Sequence, residues 1–340
     1  MRNDRRDRFP LIAWLRALLI AIFALASNAA AAETASLEEL VASVVRIKTQ
    51  INPDGETVRG LGRERDGSGI IIDNDGLVLT IGYLMVEAYA AEVITNDGRT
   101  VPATVVGYDP ESGFGLLRAI EPLKLKPIPL GKSADVKVRD VAVIASFGGA
   151  NTVAPVYVVA KREFAGSWEY MLDEALFTSP PHPAWSGAAL INREGKLIGV
   201  GSLIVGDATG DAIGEKTPGN MFVPIDRLAP ILADLLATGH AAGAGRPWLG
   251  VNTDELRGRL IVTRVTPGGP GEKAGLHRGD IIVSVNGEQP KNLADFYRKV
   301  WAQGDAGTAI ALDVLQDSSL QRVTVQSINR LDKLKLKSTF

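Results

Sequence analysis

The 340-residue chain contains no cysteine and only three histidines, His182, His240 and His277. The first absence rules out disulfides, a thiol nucleophile, a thiolate zinc site and a lipid-modified N-terminal cysteine, so any chemistry must come from oxygen or nitrogen. The second leaves too few imidazoles, too widely scattered, to suggest a metal site, and no cofactor is expected. Positive charge is not in surplus: 37 Lys and Arg stand against 39 Asp and Glu, a balance that does not favour nucleic acid. The one basic cluster, Lys333-Leu334-Lys335-Leu336-Lys337, suits a frayed final strand better than a membrane-surface contact.

Long apolar runs are scarce as well. The clean stretch from Ala17 to Ala26 is half of the ~20 residues needed to span a bilayer. It follows Arg2, Arg5, Arg6 and Arg8 and leads into Ser27-Asn28-Ala29-Ala30-Ala31-Ala32, the pattern of a cleaved secretory signal. Cleavage after Ala32 or after Ala30 fits the small-residue rule. An uncleaved anchor is the weaker reading, because Arg16 interrupts the run, and it would be the chain's one route to a membrane. Residues 1–32 carry five Arg and two Asp, so their loss moves the net charge from −2 to −5. Export to a periplasm is compatible with a cysteine-free chain, since burial alone stabilises a domain of this size.

The remaining residues exceed one ordinary core and imply at least two domains. From Val41 to Val223, short β-branched segments bounded by Gly, Asp or Pro recur, among them Ile70-Ile71-Ile72, Val101 to Val106, Val141 to Ser146 and Leu197 to Gly201. This is the signature of an all-β sandwich or barrel. After Pro224 the period becomes helical, with Ile225, Leu228, Ile231, Leu232, Leu235 and Leu236 on one face up to Gly239. Residues 240–247 read as a flexible linker. A second module of strands and one helix, Asn292 to Trp301, occupies 248–332, and 333–340 read as a tail.

The chemistry-bearing stretch is Pro183-Ala184-Trp185-Ser186-Gly187-Ala188-Ala189-Leu190-Ile191-Asn192, which looks like the nucleophile loop of a serine protease. Further landmarks are Gly67-Ser68-Gly69-Ile70-Ile71-Ile72, Asp75-Gly76-Leu77-Val78-Leu79-Thr80, Val105-Val106-Gly107-Tyr108-Asp109-Pro110, Ile128-Pro129-Leu130-Gly131-Lys132-Ser133 and Phe222-Val223-Pro224-Ile225-Asp226. In order and spacing the set resembles the HtrA (DegP-like) family of trypsin-fold periplasmic serine proteases with a C-terminal PDZ domain. The resemblance implies a mainly β fold, with two packed six-stranded barrels over residues 33–239, an active site in the cleft between them, and a PDZ domain after the linker. It also suggests a homotrimer or association with an active relative.

Carried over residue by residue, the family's catalytic pattern survives only at Ser186. Where it has Asn-Asn-His, this chain has Ile81-Gly82-Tyr83; where it has Thr-Asp-Leu-Ala, it has Ser112-Gly113-Phe114-Gly115. The base position is therefore Tyr83 and the orienting carboxylate position Gly113. A phenol with an ordinary pKa near 10 is a poor base at neutral pH beside an imidazole near 6.5. The family's Gly-Asn-Ser-Gly-Gly becomes Ala184-Trp185-Ser186-Gly187-Ala188; the resemblance puts the oxyanion-hole positions at Ala184 and Ser186, and Ala184 accommodates that backbone less readily than glycine. A serine hydroxyl attacks only when a base takes its proton and a third group orients that base. Two readings follow: a pseudoprotease that binds unfolded or C-terminal peptide segments, or an endopeptidase degrading misfolded periplasmic proteins with a non-standard base, His182 first and Lys161 or Lys196 after it. The substitutions favour the first, in which Ser186 is a small residue that suits its turn. Asp109, ahead of Pro110, reads as a turn residue.

In the second module, Trp248-Leu249-Gly250-Val251 resembles the carboxylate-binding turn of PDZ domains, and Ala274 to Ile282 and Val285-Asn286-Gly287 resemble their later landmarks. Successive N–H groups at Leu249, Gly250 and Val251 can hold a peptide's terminal carboxylate while the next strand edge pairs with its backbone. Phe296 or Tyr297, with Val300, is expected to face the peptide from the helix.

Overall fold

The computed structural model describes residues 36–210 and 216–336; the expected signal, residues 1–32, lies outside them. The described chain is mainly β, as the sequence indicates. Six strands close the first barrel: β1 (Val44–Ile51), β2 (Glu64–Ile71), β3 (Leu77–Ile81), β4 (Ala88–Ile94), β5 (Thr100–Tyr108) and β6 (Phe114–Ala119), ordered β1-β2-β3-β6-β5-β4. Six more close the second: β7 (Val141–Ala145), β8 (Val153–Gly166), β9 (Tyr170–Ser179), β10 (Ala189–Ile191), β11 (Leu197–Val205) and β12 (Gly219–Pro224), ordered β10-β11-β12-β9-β8-β7. All pairings in the barrels are antiparallel, and closure leaves no free sheet edge.

The patterning explains the barrels. In β1, Val45, Ile47, Thr49 and Ile51 point inward while Lys48 and Gln50 face out, the two-residue alternation of a half-buried strand. Val45, Ile47, Val78, Val93 and Leu117 fill the first core; Ile144, Val158, Leu176, Leu190 and Phe222 fill the second.

Helix α1 (Leu37–Ala42) precedes β1, α2 (Val58–Leu61) lies between β1 and β2, and α3 (Leu232–Thr238) follows the second barrel. Gly239 ends α3 in the left-handed conformation, φ 82°, which glycine adopts without a Cβ penalty. The C-terminal module has one five-stranded sheet, β13 (Val251–Leu256), β14 (Arg259–Val265), β15 (Ile281–Val285), β16 (Ala309–Gln316) and β17 (Ser319–Gln326), in that order. Helices α4 (Pro270–Lys273) and α5 (Leu293–Trp301) cover it. Asn292 caps α5 by accepting the Asp295 N–H at 2.8 Å. The segment from 333 reads as a tail in sequence but is docked as far as it is described. Lys333 Nζ lies 3.1 Å from Glu56, and the Lys335 N–H donates to Glu87 Oε1 at 3.0 Å, both on the first barrel.

Candidate active site and peptide groove

Ser186 lies on the turn before β10, seated between the two barrels. Its carbonyl accepts the Ser68 N–H of β2 at 2.8 Å, and the Gly187 N–H donates to Gly201 of β11 at 2.9 Å. Gly187 has φ 74°, and a Cβ there would fall 1.9 Å from the Ser68 carbonyl oxygen, so only glycine fits this backbone-on-backbone approach.

The Ser186 hydroxyl meets the phenol of Tyr83, in the turn Gly82–Leu84 that follows β3. Tyr83 Oη lies 2.9 Å from Ser186 Oγ and donates to the Ser202 carbonyl at 2.8 Å. A phenol has one proton; given to Ser202, it leaves Oη to accept from the serine. Burial pushes the Tyr83 pKa up to about 12, against the opposing hydrogen bonds from Ser186 and Trp185. The phenol is therefore neutral at physiological pH and a weak proton acceptor. Arg65 holds the turn in place, its Nη1 donating to the Tyr83 carbonyl at 2.7 Å.

Gly113, in the turn between β5 and β6, has φ 82°, and a Cβ there would lie 3.1 Å from the Tyr170 hydroxyl. That hydroxyl donates to the Ser112 carbonyl at 2.7 Å. Tyr170 thus crowds a side chain at 113, which would also be strained by the left-handed backbone. Asp109 accepts the Ser112 N–H at 2.7 Å, which makes it a turn residue.

The loop before Ser186 is tied to itself. The Ala184 N–H, one of the two expected oxyanion donors, donates to His182 Nδ1 at 3.2 Å. His182 is 8% exposed; its N–H donates to Asn220 Oδ1 at 2.6 Å, and Asn220 Nδ2 donates back to its carbonyl at 3.1 Å. Burial pushes its pKa below the ordinary imidazole value, against hydrogen bonds with the Thr152 and Ala184 backbone. Lys161 is engaged by the Ser133 and Ala134 carbonyls and Glu174, and Lys196 by Glu194. Each proposed substitute base has its hydrogen bonds elsewhere. Among the described residues no group of three or more His, Cys, Asp or Glu is placed to hold a metal ion.

In front of Ser186 lies a cavity of about 540 Å³ lined by Tyr83, Trp185 and Ser202 from the barrels, Trp168 and Tyr170 from the β8–β9 hairpin, and Trp248 from the C-terminal module. Trp185 borders this space rather than filling it.

The peptide-groove residues are placed differently from expectation. Trp248 pairs with Ile328 and leads into the turn at Leu249, Gly250 and Val251, where Gly250 has φ 74°. The N–H groups of Leu249 and Val251 are not free: they donate to Glu169 Oε2 and Oε1 at 2.8 and 2.9 Å. Phe296 and Val300, expected to face a peptide, are 0% and 1% exposed within the module's core. Their four-residue spacing puts both on the inward stripe of α5. Met171, together with Ala165, packs from the hairpin against the same core. Tyr297, equally buried at 1% exposed in that core, donates to the Gly166 carbonyl of the hairpin at 2.7 Å. Sequence reasoning missed Glu169, because an acidic residue in a hairpin turn carries no local signal of a partner 80 residues away.

Two closed six-stranded barrels with a serine turn at their junction, followed by a five-stranded, helix-capped module, define a trypsin-like peptidase fold carrying a PDZ domain. The family models "Trypsin-like peptidase domain" and "PDZ domain" match residues 67–200 and 247–326. "Putative serine protease HhoA" of Synechocystis is 32% identical over 77% of this chain and 70% of its own length. "Serine protease PepD" of Mycobacterium tuberculosis is 31% identical over 86% and 65%, and "Periplasmic pH-dependent serine endoprotease DegQ" of Escherichia coli 30% over 76% and 58%. The chain belongs to the HtrA/DegP-like serine protease family. It spans 58% to 70% of the length of these three relatives. The solved structure "HtrA-type protease AlgW with decapeptide" shares the fold at a TM-score of 0.52 and 21% identity, over 87% of this chain and 99% of that one.

Proposed function

We propose that this chain is an exported, periplasmic HtrA-fold pseudoprotease that binds unfolded protein segments or peptide C-termini without cleaving them, in protein quality control or its regulation. The observation that carries the reading is the Tyr83 phenol at the base position, 2.9 Å from Ser186 Oγ. A neutral phenol bonded to a carbonyl cannot take the serine's proton as the reaction requires. The glycine at 113, which offers no carboxylate to orient a base, and the Ala184 N–H bonded to His182 support it further, since orientation and oxyanion stabilisation are weakened together. Triad loss costs on the order of a millionfold in turnover. Relatives named as periplasmic support the compartment, and the turn at Leu249–Val251 supports carboxylate recognition.

The test is degradation of casein by the purified mature protein, with Ser186→Ala prepared identically. Neither sample is expected to cleave. Cleavage by the wild type that the variant lacks would overturn the reading.

A further inference from the structure

The N–H groups that make a PDZ turn a carboxylate site already hold a carboxylate of this chain. Glu169 is 8% exposed and sits in the three-residue turn Ser167-Trp168-Glu169 between β8 and β9 of the second barrel. Besides the Leu249 and Val251 bonds, the Ser167 carbonyl accepts the Thr253 N–H of β13 at 2.8 Å. The carboxylate enters at the turn, and the backbone two residues earlier pairs with the strand two residues further on. This is the pattern of an extended peptide added to a sheet edge with its terminus in a backbone nest.

The hairpin is held along its length. The Glu169 N–H donates to Tyr297 Oη at 3.2 Å, Tyr297 Oη donates to Gly166, and Arg330 Nη1 donates to the Trp168 carbonyl at 3.1 Å. Arg298 of α5 pairs with Glu163 of β8, and Met171 is part of the PDZ core. Glu169 itself adopts φ 55°, a conformation that bulky residues take only where the surroundings hold it.

We propose that the Ser167–Glu169 turn is the resident ligand of the PDZ groove, a carboxylate supplied in cis. The partner this site fits is a chain terminus with a free carboxylate, and it enters only by expelling the hairpin. The second statement rests on the peptide-binding reading above; the first does not. The arrangement joins the groove to the floor of the Ser186 cavity, because Trp168 and Tyr170, which stack at 5.8 Å between ring centroids, line that cavity and flank Glu169. Expelling the turn would therefore move part of the cavity wall.

The test compares mature wild type, Glu169→Ala and Glu169→Gln. Amide exchange at Leu249, Val251 and Thr253 is read in each, with Leu312 and Val325 of β16 and β17 as the check that the module stays folded. Binding of a fluorescent pool of random decapeptides with free C-termini is read by anisotropy, with the amidated pool as control. In Glu169→Ala the three amides are expected to exchange roughly tenfold faster or more, the loss of their bonds to the docked hairpin, while Leu312 and Val325 stay protected; Glu169→Gln, uncharged and with one acceptor oxygen left, is expected to exchange more slowly at Leu249 and Val251 than Glu169→Ala. The free-carboxylate pool is expected to bind Glu169→Ala at least tenfold more tightly than wild type. Unchanged exchange at Leu249 and Val251 in Glu169→Ala, or wild type binding the pool as tightly as Glu169→Ala does, would overturn the resident-ligand proposal. Faster exchange with no binding by any form would leave the cis ligand standing and sink the peptide-binding reading.

Discussion

At Ser186 the outcome turns on which atom stands 2.9 Å from a hydroxyl. Replacing Tyr83 by Phe removes a donor that the Ser202 carbonyl uses, so Tyr83→Phe is expected to destabilise the fold by about 1–3 kcal/mol without changing proteolysis, as read by chemical denaturation and the casein assay. Rebuilding the triad meets a backbone obstacle. Gly113 is left-handed, and Tyr170 crowds a side chain there, so Gly113→Asp is expected to cost about 1–2 kcal/mol. Tyr83→His with Gly113→Asp is expected to remain inactive in the same assay; measurable cleavage by the double variant would show that Tyr170 and the Ala184–His182 bond are no barrier. Much of this site was legible in the sequence. Catalytic landmarks are short local strings, so the serine loop and its missing partners could be read from Ile81-Gly82-Tyr83 and Ser112-Gly113-Phe114. The roles of Tyr170 and His182 were not, since each depends on partners that chain folding brings together.

The β8–β9 hairpin places a carboxylate on the PDZ turn, and its chemistry makes docking pH-dependent. Burial pushes the Glu169 pKa up to about 7, opposed by the N–H groups of Leu249, Val251 and Gly250 and by the charge of Arg330; the neutral Tyr297 hydroxyl also faces it. A carboxyl released to water returns to its ordinary value near 4.5. The docked state thus takes up a proton more readily than the released one, and linkage favours docking in acid. That stabilisation is fully present below about 4.5 and is lost as pH rises through about 7. Amide exchange at Leu249 and Val251, corrected for its intrinsic pH dependence, is expected to quicken from pH 5 to pH 8, and Glu169→Gln is expected to flatten the trend. A flat wild-type profile would contradict this. The β-branched segments such as Val101 to Val106 and the helix from Asn292 to Trp301 were readable because each element's own neighbours set its pattern. Periodicity placed Phe296 and Val300 on an apolar stripe, but nothing local announced that Met171 and Ala165 of the hairpin would pack into the same core.

At the scale of the whole molecule, the PDZ domain is tied to the barrels through the hairpin, through Arg246, which pairs with Glu111 and lies over the Trp301 ring, and through the C-terminal segment, which returns to the first barrel through Lys333 and Lys335. Glu87 collects the N–H groups of Glu56, Thr57 and Lys335, so it anchors the α2 turn and the C-terminal segment together. Deleting residues 333–340 is expected to lower stability by about 1–2 kcal/mol, the loss of a hydrogen bond to a charged group and a partly screened ion pair. Thermal melts of the truncated chain check it; an unchanged melt would show that the segment contributes nothing. The succession of a β region, a helix, a linker and a second module was visible in the change of period after Pro224, and the resemblance supplied the barrels and the PDZ domain, whereas the returning segment was hidden by its alternating Lys and Leu, which resemble any solvated end.

The most direct test of an inert Ser186 is labelling by a fluorophosphonate, which phosphonylates a serine only where its hydroxyl is activated. Intact-mass and peptide spectra of the folded mature protein, with an active trypsin-fold protease as positive control, are expected to show no adduct on Ser186. An adduct on Ser186 that disappears on unfolding would mean that the loop still activates its serine, and the account of Tyr83 as a proton-holding substitute for the base would be wrong.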